Sequence, residues 1–414
     1  MMFDTDRANA ETALPWLTII GIGADGVEGL SPPARDSLAA AAIVMGGARH
    51  LALAAGQIRG ETLTWPQPFS AAIDALLALR GRRVAVLASG DPLFHGMASS
   101  LLRHLDPAEI RVLPVPSSVS LACARLGWAV AETAVVNLCG RPLDLIRPHL
   151  QPGRRLIALS ADGDTPGQLA ARLTAEGFGA TRLHILENLA GPGERQVTAR
   201  AFDLPPAPYA ALNLIGLEVE ADARARVIPL APGLDDDWFA HDGQLTKREV
   251  RAVTLSALAP RAGDLLWDIG AGSGSIGIEW LLRHPSLRAI AIERDATRAA
   301  RCRANAASLG VPRLQVLEGP APLALAGLPA PDAIFIGGGL TIAGLLDDAL
   351  ARLKPGGRLV ANSVTLEGDA MLTMARGRLG GSLTRIGVER LEAIGRLHGY
   401  RPAMAITQWC WRKP

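Results

Sequence analysis

The stretch that most narrows what this chain can become is LLWDIGAGSGSIGIEWLLRH, residues 265–284. Residues 265–269 are apolar around a single Asp268 and read as a buried strand. Residues 270–274 form a tight glycine turn, and from Ser275 the apolar positions fall at helical spacing. Glycines let the main chain take positive φ and approach a ligand with no Cβ in the way. The helix that follows offers its first N–H groups and the positive end of its dipole. A strand, turn and helix in this order belong in a parallel α/β sheet, with a ligand outside the strand's carboxyl end.

The turn alone leaves the ligand open. Gly272-Ser273-Gly274-Ser275-Ile276-Gly277 matches the GxGxxG dinucleotide pattern, and so does Gly21-Ile22-Gly23-Ala24-Asp25-Gly26. A NAD-type dehydrogenase is therefore a competing reading. Three neighbours favour S-adenosylmethionine (SAM). Asp268 turns the pattern into D-x-G-x-G-x-G, which resembles the SAM loop of class I methyltransferases. Glu293 ends the next expected strand, RAIAIE, where a carboxylate can accept from both ribose hydroxyls. PDAIFIGGG (331–339) and LKPGGRLVAN (353–362) look like that fold's fourth and fifth strands. Main-chain N–H groups of Gly270, Ala271, Gly272, Ser273 and Gly274 are then expected to meet the cofactor carboxylate. Asp268 is expected to hold or indirectly orient its ammonium.

Just upstream, GQLTKREVRAVTLSALAP (243–260) contains Thr246-Lys247-Arg248-Glu249, a T-x-x-E capping box that predicts the start of an amphipathic helix. That helix end is expected to close over the cofactor or an acidic substrate, with Thr246 beside the cofactor and Lys247 as a catalytic candidate. Of 42 basic residues only Lys247, Lys354 and Lys413 are lysine. GC-rich coding accounts for the arginine excess. A lysine kept against that bias is a candidate for a place where the planar arginine fork does not fit.

The first half alternates apolar runs with helical patterns. Strands are expected near residues 17–23, 83–92, 110–116, 134–140, 155–160, 182–188 and 211–219, and helices over 34–42, 96–105, 118–126 and 166–175. Such alternation predicts an α/β domain with a largely parallel sheet. Charges, prolines and Asp235-Asp236-Asp237 mark a linker, so the expected division is a first domain over 15–218, a linker over 219–236 and a second domain over 237–414.

Composition excludes several classes. A net charge of +2 with no basic stripe argues against nucleic acid. No apolar run reaches the roughly 18–20 residues of a membrane span. MMFDTDRANAETALPW lacks the basic and apolar regions of a secretory leader. Cys123, Cys139, Cys302 and Cys410 are scattered, which predicts neither a disulfide framework nor a zinc site, and no metal is expected. The expected setting is cytoplasmic and soluble, as a homo-oligomer.

The second half carries a more specific likeness. DIGAGSGSIGIEW, TKREVRAV, the EGPAP turn (318–322), PDAIFIGGG, RLVANSVTLE (358–367) and IGRLHGYRPAMAITQWCW (394–411) resemble the C15-methylating, decarboxylating methyltransferases of cobalamin biosynthesis. In the first half, GIGADGVEGLSPPA (21–34), LASGDPLFHG (87–96), PSSVSLACARLGW (116–128) and ALNLIGLE (211–218) resemble the tetrapyrrole methylase family, and within it the C5-methylating member. The resemblance implies a tetrapyrrole-methylase-like α/β domain followed by a Rossmann-like class I SAM methyltransferase domain, each binding one SAM. It implies methylation of a precorrin at C5 and C15 and loss of carbon dioxide from the C12 acetate. Whether the ring carries cobalt stays open, and a non-catalytic SAM-binding scaffold is the contrasting class.

The resemblance also assigns residues. Gly90, Asp91, Pro92, Ser117, Ser118 and Asn213 would bind SAM in the first domain. Gly21, Gly23, Asp25 and His95 would face the ring, with Asp25 the second catalytic candidate. In the second domain Gly319 and Ala321 would lie against the adenine, although Pro320 departs from the usual turn, and Gly338 and Asn362 would meet the substrate. The ring carbons are electron-rich, so the protein mainly has to hold them at near-attack distance, and no Ser-His-Asp constellation is read. Arginines are expected to ring the other carboxylates, with a less basic pocket beneath the acetate that is lost.

Overall fold

The computed structural model describes residues 15–68, 71–206 and 208–414. Most of the segment read for a leader therefore lies outside the described residues. The chain divides into two compact units. One runs up to Arg141 and resumes over Pro152–Ala225; the other joins Pro142–Gln151 to Arg226–Pro414.

The first unit begins with β1 (Leu17–Ile22), α1 (Pro32–Ala40), β2 (Ile43–Gly46), α2 (Ala48–Ala54), β3 (Glu61–Thr64), α3 (Ala72–Leu77), β4 (Val84–Ser89), α4 (Met97–Leu101) and β5 (Ile110–Leu113). These strands form one parallel sheet in the order β3-β2-β4-β1-β5. Its central strands are covered on both faces: Leu17, Ile19, Val84 and Val86 enter one apolar cluster, Ile20, Ile22, Ala85 and Leu87 the other.

After α5 (Ser118–Leu126) come β6 (Ala134–Asn137), β7 (Arg155–Leu159), α6 (Thr165–Ala175), β8 (Arg182–Glu187), β9 (Arg195–Arg200) and β10 (Asn213–Glu218). They build a second sheet, β6-β7-β10-β8-β9, in which only β6 and β7 run parallel. This corrects the expectation of one largely parallel sheet. The short link from β8 to β9 holds Gly191 and Gly193 and permits a hairpin, not a crossover. In the strand RQVTAR on the sheet edge only Val197 and Ala199 are apolar, too short an alternation to announce it.

The second unit contains α7 (Arg248–Leu258), β11 (Leu265–Ile269), α8 (Ser275–Arg283), β12 (Arg288–Glu293), α9 (Ala296–Ser308), β13 (Gln315–Glu318), β14 (Ala333–Ile336), α10 (Leu345–Arg352), β15 (Arg358–Ser363), α11 (Leu366–Leu379), β16 (Ser382–Ile386), β17 (Glu389–Ile394), β18 (Leu397–Pro402) and β19 (Ile406–Arg412). Its sheet has the order β13-β12-β11-β14-β15-β19-β16; the first five strands are parallel and β19 is antiparallel to both neighbours. β17 and β18 pair as a separate hairpin. Strand β11 alternates strictly: Leu265, Trp267 and Ile269 pack with α10 and α11, and Leu266 packs with α7, α8 and α9. Asp268 therefore points into the second of these layers.

Candidate functional site

In the second unit the carboxyl ends of β11, β12, β14 and β15 open into a cavity of about 770 Å³. Gly270, Gly272 and Gly274 all hold positive φ, as the turn requires. At Gly270 an added Cβ would stand 2.8 Å from the Gly338 nitrogen, so the β11 and β14 loops touch through bare main chain. Gly270, Ala271, Gly272, Ser273, Glu293, Gly319, Ala321, Gly338 and Asn362 line the cavity, with Thr246 and Lys247 in its wall.

The loop's hydrogen bonds differ from expectation. The N–H groups of Gly270 and Ala271 donate to the Ile292 carbonyl at 3.0 and 3.1 Å, and that of Gly274 to Ala271 at 2.8 Å. That of Gly272 donates to Glu293 Oε2 at 2.8 Å. These groups hold the turn's shape and are not free for a cofactor carboxylate. Gly274 itself stands outside the cavity: its open side faces Cys302, whose sulfur an added Cβ would strike.

Asp268 also lies beneath the loop. It is almost fully buried, and its Oδ2 accepts from the Gly277 N–H at 2.9 Å, fastening the first turn of α8. Burial, reinforced by nearby Glu293, pushes its carboxyl up to about 7. It can orient a ligand only indirectly. Glu293 does reach the cavity, and its Oε1 accepts from the Asp295 N–H at 3.0 Å.

The T-x-x-E box does not form. Lys247, not Thr246, occupies the N-cap position of α7, with no side-chain cap. The Thr246 carbonyl is claimed by Arg251, and the Glu249 carboxylate bonds Arg390. Lys247 Nζ stands 3.7 Å from Asp236 Oδ2. Asn362 is clamped from behind: its Nδ2 donates to Thr254 Oγ1 at 3.0 Å, and its Oδ1 accepts from Gln408 Nε2 at 2.9 Å.

Sequence reasoning missed Arg251, Glu279, Thr254 and Gln408. One signal was present, a lone glutamate inside the apolar helix SIGIEWLLR. Arg251 and Glu279 are both fully buried and pair at 2.6 Å.

In the first unit the ends of β1, β4 and β5 meet. An added Cβ on Gly21 would overlap the Gly90 carbonyl and stand 2.9 Å from the Val115 nitrogen. Gly90 has φ +58°, and a Cβ there would lie 3.3 Å from the Ser117 Cα. The loops carrying Gly21, Gly90 and Ser117 are thus packed main chain to main chain. Asp91 Oδ1 accepts from the Leu93 N–H at 2.8 Å, and Pro92 is buried. His95 is exposed as a whole at φ +55°, and partial covering of its ring, with Arg141 nearby, holds it below its ordinary value. Asp25 is exposed, its carboxylate resting over Gly23 and Gly29.

The Ser117 hydroxyl is spent as the α5 N-cap, accepting from the Ser120 N–H at 3.1 Å, while Ser118 is exposed. Asn213 lies on the second sheet. Its Nδ2 donates to the carbonyls of Asp162 and Ala210 at 2.9 and 2.8 Å, and its Oδ1 is buried without a partner. At the end of β4, Ser89 Oγ lies 2.8 Å from His50 Nε2, a pair that sequence reasoning also missed.

The parallel core of the second unit, its glycine loop and the carboxylate of Glu293 at the next strand end are those of a class I methyltransferase, whose methyl donor is SAM. Residues 16–205 match the family model of tetrapyrrole (corrin/porphyrin) methylases, and residues 237–413 match that of the precorrin methyltransferase domain. A precorrin-6Y C(5,15)-methyltransferase (decarboxylating) of Sinorhizobium sp is 54% identical over 410 residues, covering 99% of this chain and 99% of that protein. The chain belongs to this family of two-domain methyltransferases. Two shorter relatives each align with 43% of the chain. A cobalt-precorrin-7 C(5)-methyltransferase of Salmonella typhimurium is 32% identical over 88% of its length. A probable cobalt-precorrin-6B C(15)-methyltransferase (decarboxylating) of Pyrobaculum calidifontis is 37% identical over 96% of its length.

Proposed function

We propose that this chain methylates C5 and C15 of precorrin-6Y and removes carbon dioxide from its C12 acetate chain. The first unit would serve C5, and the second C15 and the decarboxylation. The carrying observation is the 54% identity along the whole length to an enzyme of that name. The metal-free ring is preferred because that relative is named for precorrin, whereas the half-length ones are named for cobalt-precorrins. A cytoplasmic homo-oligomer acting on a small ring, with neither nucleic acid nor membrane as partner, completes the proposal. No helix of the described residues is long and apolar enough to cross a membrane.

The second unit's residues fit SAM. At Gly272 and Gly338 an added Cβ would meet no protein atom nearer than 3.8 Å, so both turn bare main chain to open space. The Ser273 hydroxyl at the wall is buried without a protein partner. Gly272, Ser273, Glu293, Gly319 and Ala321 would hold the cofactor, with Thr246 and Lys247 closing one side. In the first unit Gly90, Asp91, Pro92, Ser118 and Asn213 would do so. When bound, SAM supplies a methyl group activated by its sulfonium.

The chain's own part is positional. A wall fixed by main-chain bonds holds ring carbon and methyl in line, which can be worth about 7–11 kcal/mol of barrier. Asp25, exposed and unburdened by a cap bond, can take the proton that leaves the ring after C5 is methylated. Lys247 offers a compact charge to a ring carboxylate. The acetate that is lost must avoid a tight cation, since a clamp on it would stabilise the ground state.

The test is the mass of the ring after the full chain acts on precorrin-6Y and SAM. Two added methyls and one lost carbon dioxide are expected. Glu293→Ala should suppress one methyl and the carbon dioxide loss together. An unchanged ring with the wild type would refute the assignment.

A further inference from the structure

Arg390 is the second residue of β17, at the foot of the exposed hairpin, and its Nη2 donates to the carboxylate of Glu249 in the first turn of α7. The two residues are 141 apart in sequence, and both line the cavity. Their side chains remain 44% and 45% exposed, unlike the sealed pair of Arg251 and Glu279. The ion pair thus bridges two walls of the cavity while staying open to exchange.

The other paired cations of the wall are satisfied from outside it. Lys247 stands near Asp236, and Arg298 bonds Asp242 at 2.8 Å; neither acid lines the cavity. Glu249 does. Its carboxylate was expected to turn back on its own helix start, and it turns to Arg390 instead. In this structure, then, Arg390 already holds a carboxylate inside the cavity. Next to it the wall is apolar, formed by Val388, Ala403, Met404 and Ile406. A wall of this kind suits a ligand that is broad and apolar at its centre and carboxylated at its edge.

We propose that Arg390 is a substrate-recognition residue of the second unit: it receives a peripheral carboxylate of the tetrapyrrole, which displaces Glu249. This rests on the function proposed above. Glu249 acts as a stand-in that keeps the guanidinium extended and aimed before substrate arrives. The carboxylate taken by Arg390 is one that survives the reaction, because an arginine fork would stabilise the ground state of the one that is lost.

The exchange predicts opposite signs for the two partners. Arg390→Gln should raise the KM for precorrin-6Y by about tenfold, with kcat for carbon dioxide release and the KM for SAM little changed. Glu249→Gln should lower the KM for precorrin-6Y, since the arginine no longer has to leave an internal partner. If the pair merely braces two walls, both substitutions break it alike and move KM the same way; that result, or no movement in either, overturns the proposal. Should Arg390→Gln fail to fold, the sign for Glu249→Gln decides alone. Failure of the wild type to turn over overturns the functional assignment along with this one, whereas turnover with like-signed variants overturns only this one.

Discussion

Replacing Arg251 with methionine should unfold the second unit far more easily than any nearby surface change. The guanidinium is sealed from solvent. Its Nε donates to Glu279 Oε1 at 2.6 Å and its Nη1 to Asp236 Oδ1 at 3.2 Å, and it also holds the carbonyls of Thr246 and Leu234. Its plane lies 4.8 Å from the Phe239 ring centre. Methionine fills much of the stem's volume, so little of the loss comes from a cavity. What remains is a buried Glu279 carboxylate with only the N–H groups of Gly233 and Leu234, at 2.6 and 3.0 Å. Breaking a buried pair from one side costs about 3–5 kcal/mol. For a unit of this size that corresponds to a Tm lower by roughly 6–20 °C. Circular dichroism melts of the full chain, with and without SAM, would follow it. Arg251→Met/Glu279→Gln should recover part of the loss, because the uncompensated charge is gone while an acceptor stays for the two N–H groups. A single variant melting within about 2 °C of the wild type would show that the pair stabilises nothing.

Asp268 predicts a pH effect of definite sign. Its folded carboxyl is raised from the ordinary 3.8 to about 7, so the fold binds this proton more tightly than the open chain does. Its contribution is greatest below pH 3.8, declines as pH rises towards 7 and is flat above. The Tm of Asp268→Asn minus that of wild type should therefore be more positive at pH 8 than at pH 5; equal differences would contradict the burial argument. Lys413 Nζ donates to the carbonyls of Leu350, Ala351 and Leu353 at 3.0, 3.0 and 2.7 Å, gathering the last turn of α10 around one ammonium. Lys413→Arg should cost about 1 kcal/mol in urea melts despite the conserved charge, because a planar fork cannot face three converging carbonyls. Gly21→Ala should remove one methyl from the ring product and spare the carbon dioxide loss, as read by mass spectrometry; unchanged double methylation would refute the close packing of the first unit's loops as a requirement for C5 chemistry.

The parts of the site that could be read in advance are those made by neighbours in sequence. The turn at 270–274 was visible because a strand end and a helix start both need glycine there. The helical spacing of apolar residues over 118–126 matched α5, whose ends the structure closes with the Ser117 cap and the left-handed Gly127. Lys413 and Lys354 both hold compact contacts, the latter on Asp332 at 2.8 Å, whereas Lys247, the lysine singled out from the sequence, stands 3.7 Å from Asp236. Other features depend on partners distant in the chain. Whether Glu249 caps its own helix or turns to Arg390 depends on a hairpin far downstream, and local pattern favours the box. Gln408 and Thr254 fix Asn362 from two other elements. Strand β9 was invisible because its edge position asks for only two half-buried apolar residues, Val197 and Ala199.

The placement of Pro142–Gln151 has a consequence for how such a chain can be divided. Ile146 and Leu150 are fully buried, Gln151 Nε2 donates to the Ile228 carbonyl at 2.8 Å, and Gly310 leaves room for Pro148. The chain therefore passes from one unit to the other three times, not once. No single cut yields two whole units: a fragment beginning after residue 225 lacks a piece of its own interior, and the complementary fragment carries that piece as an orphan. The two units are interlaced along the chain as well as fused, so a fragment starting at residue 226 should melt lower than the same fragment supplied with residues 142–151.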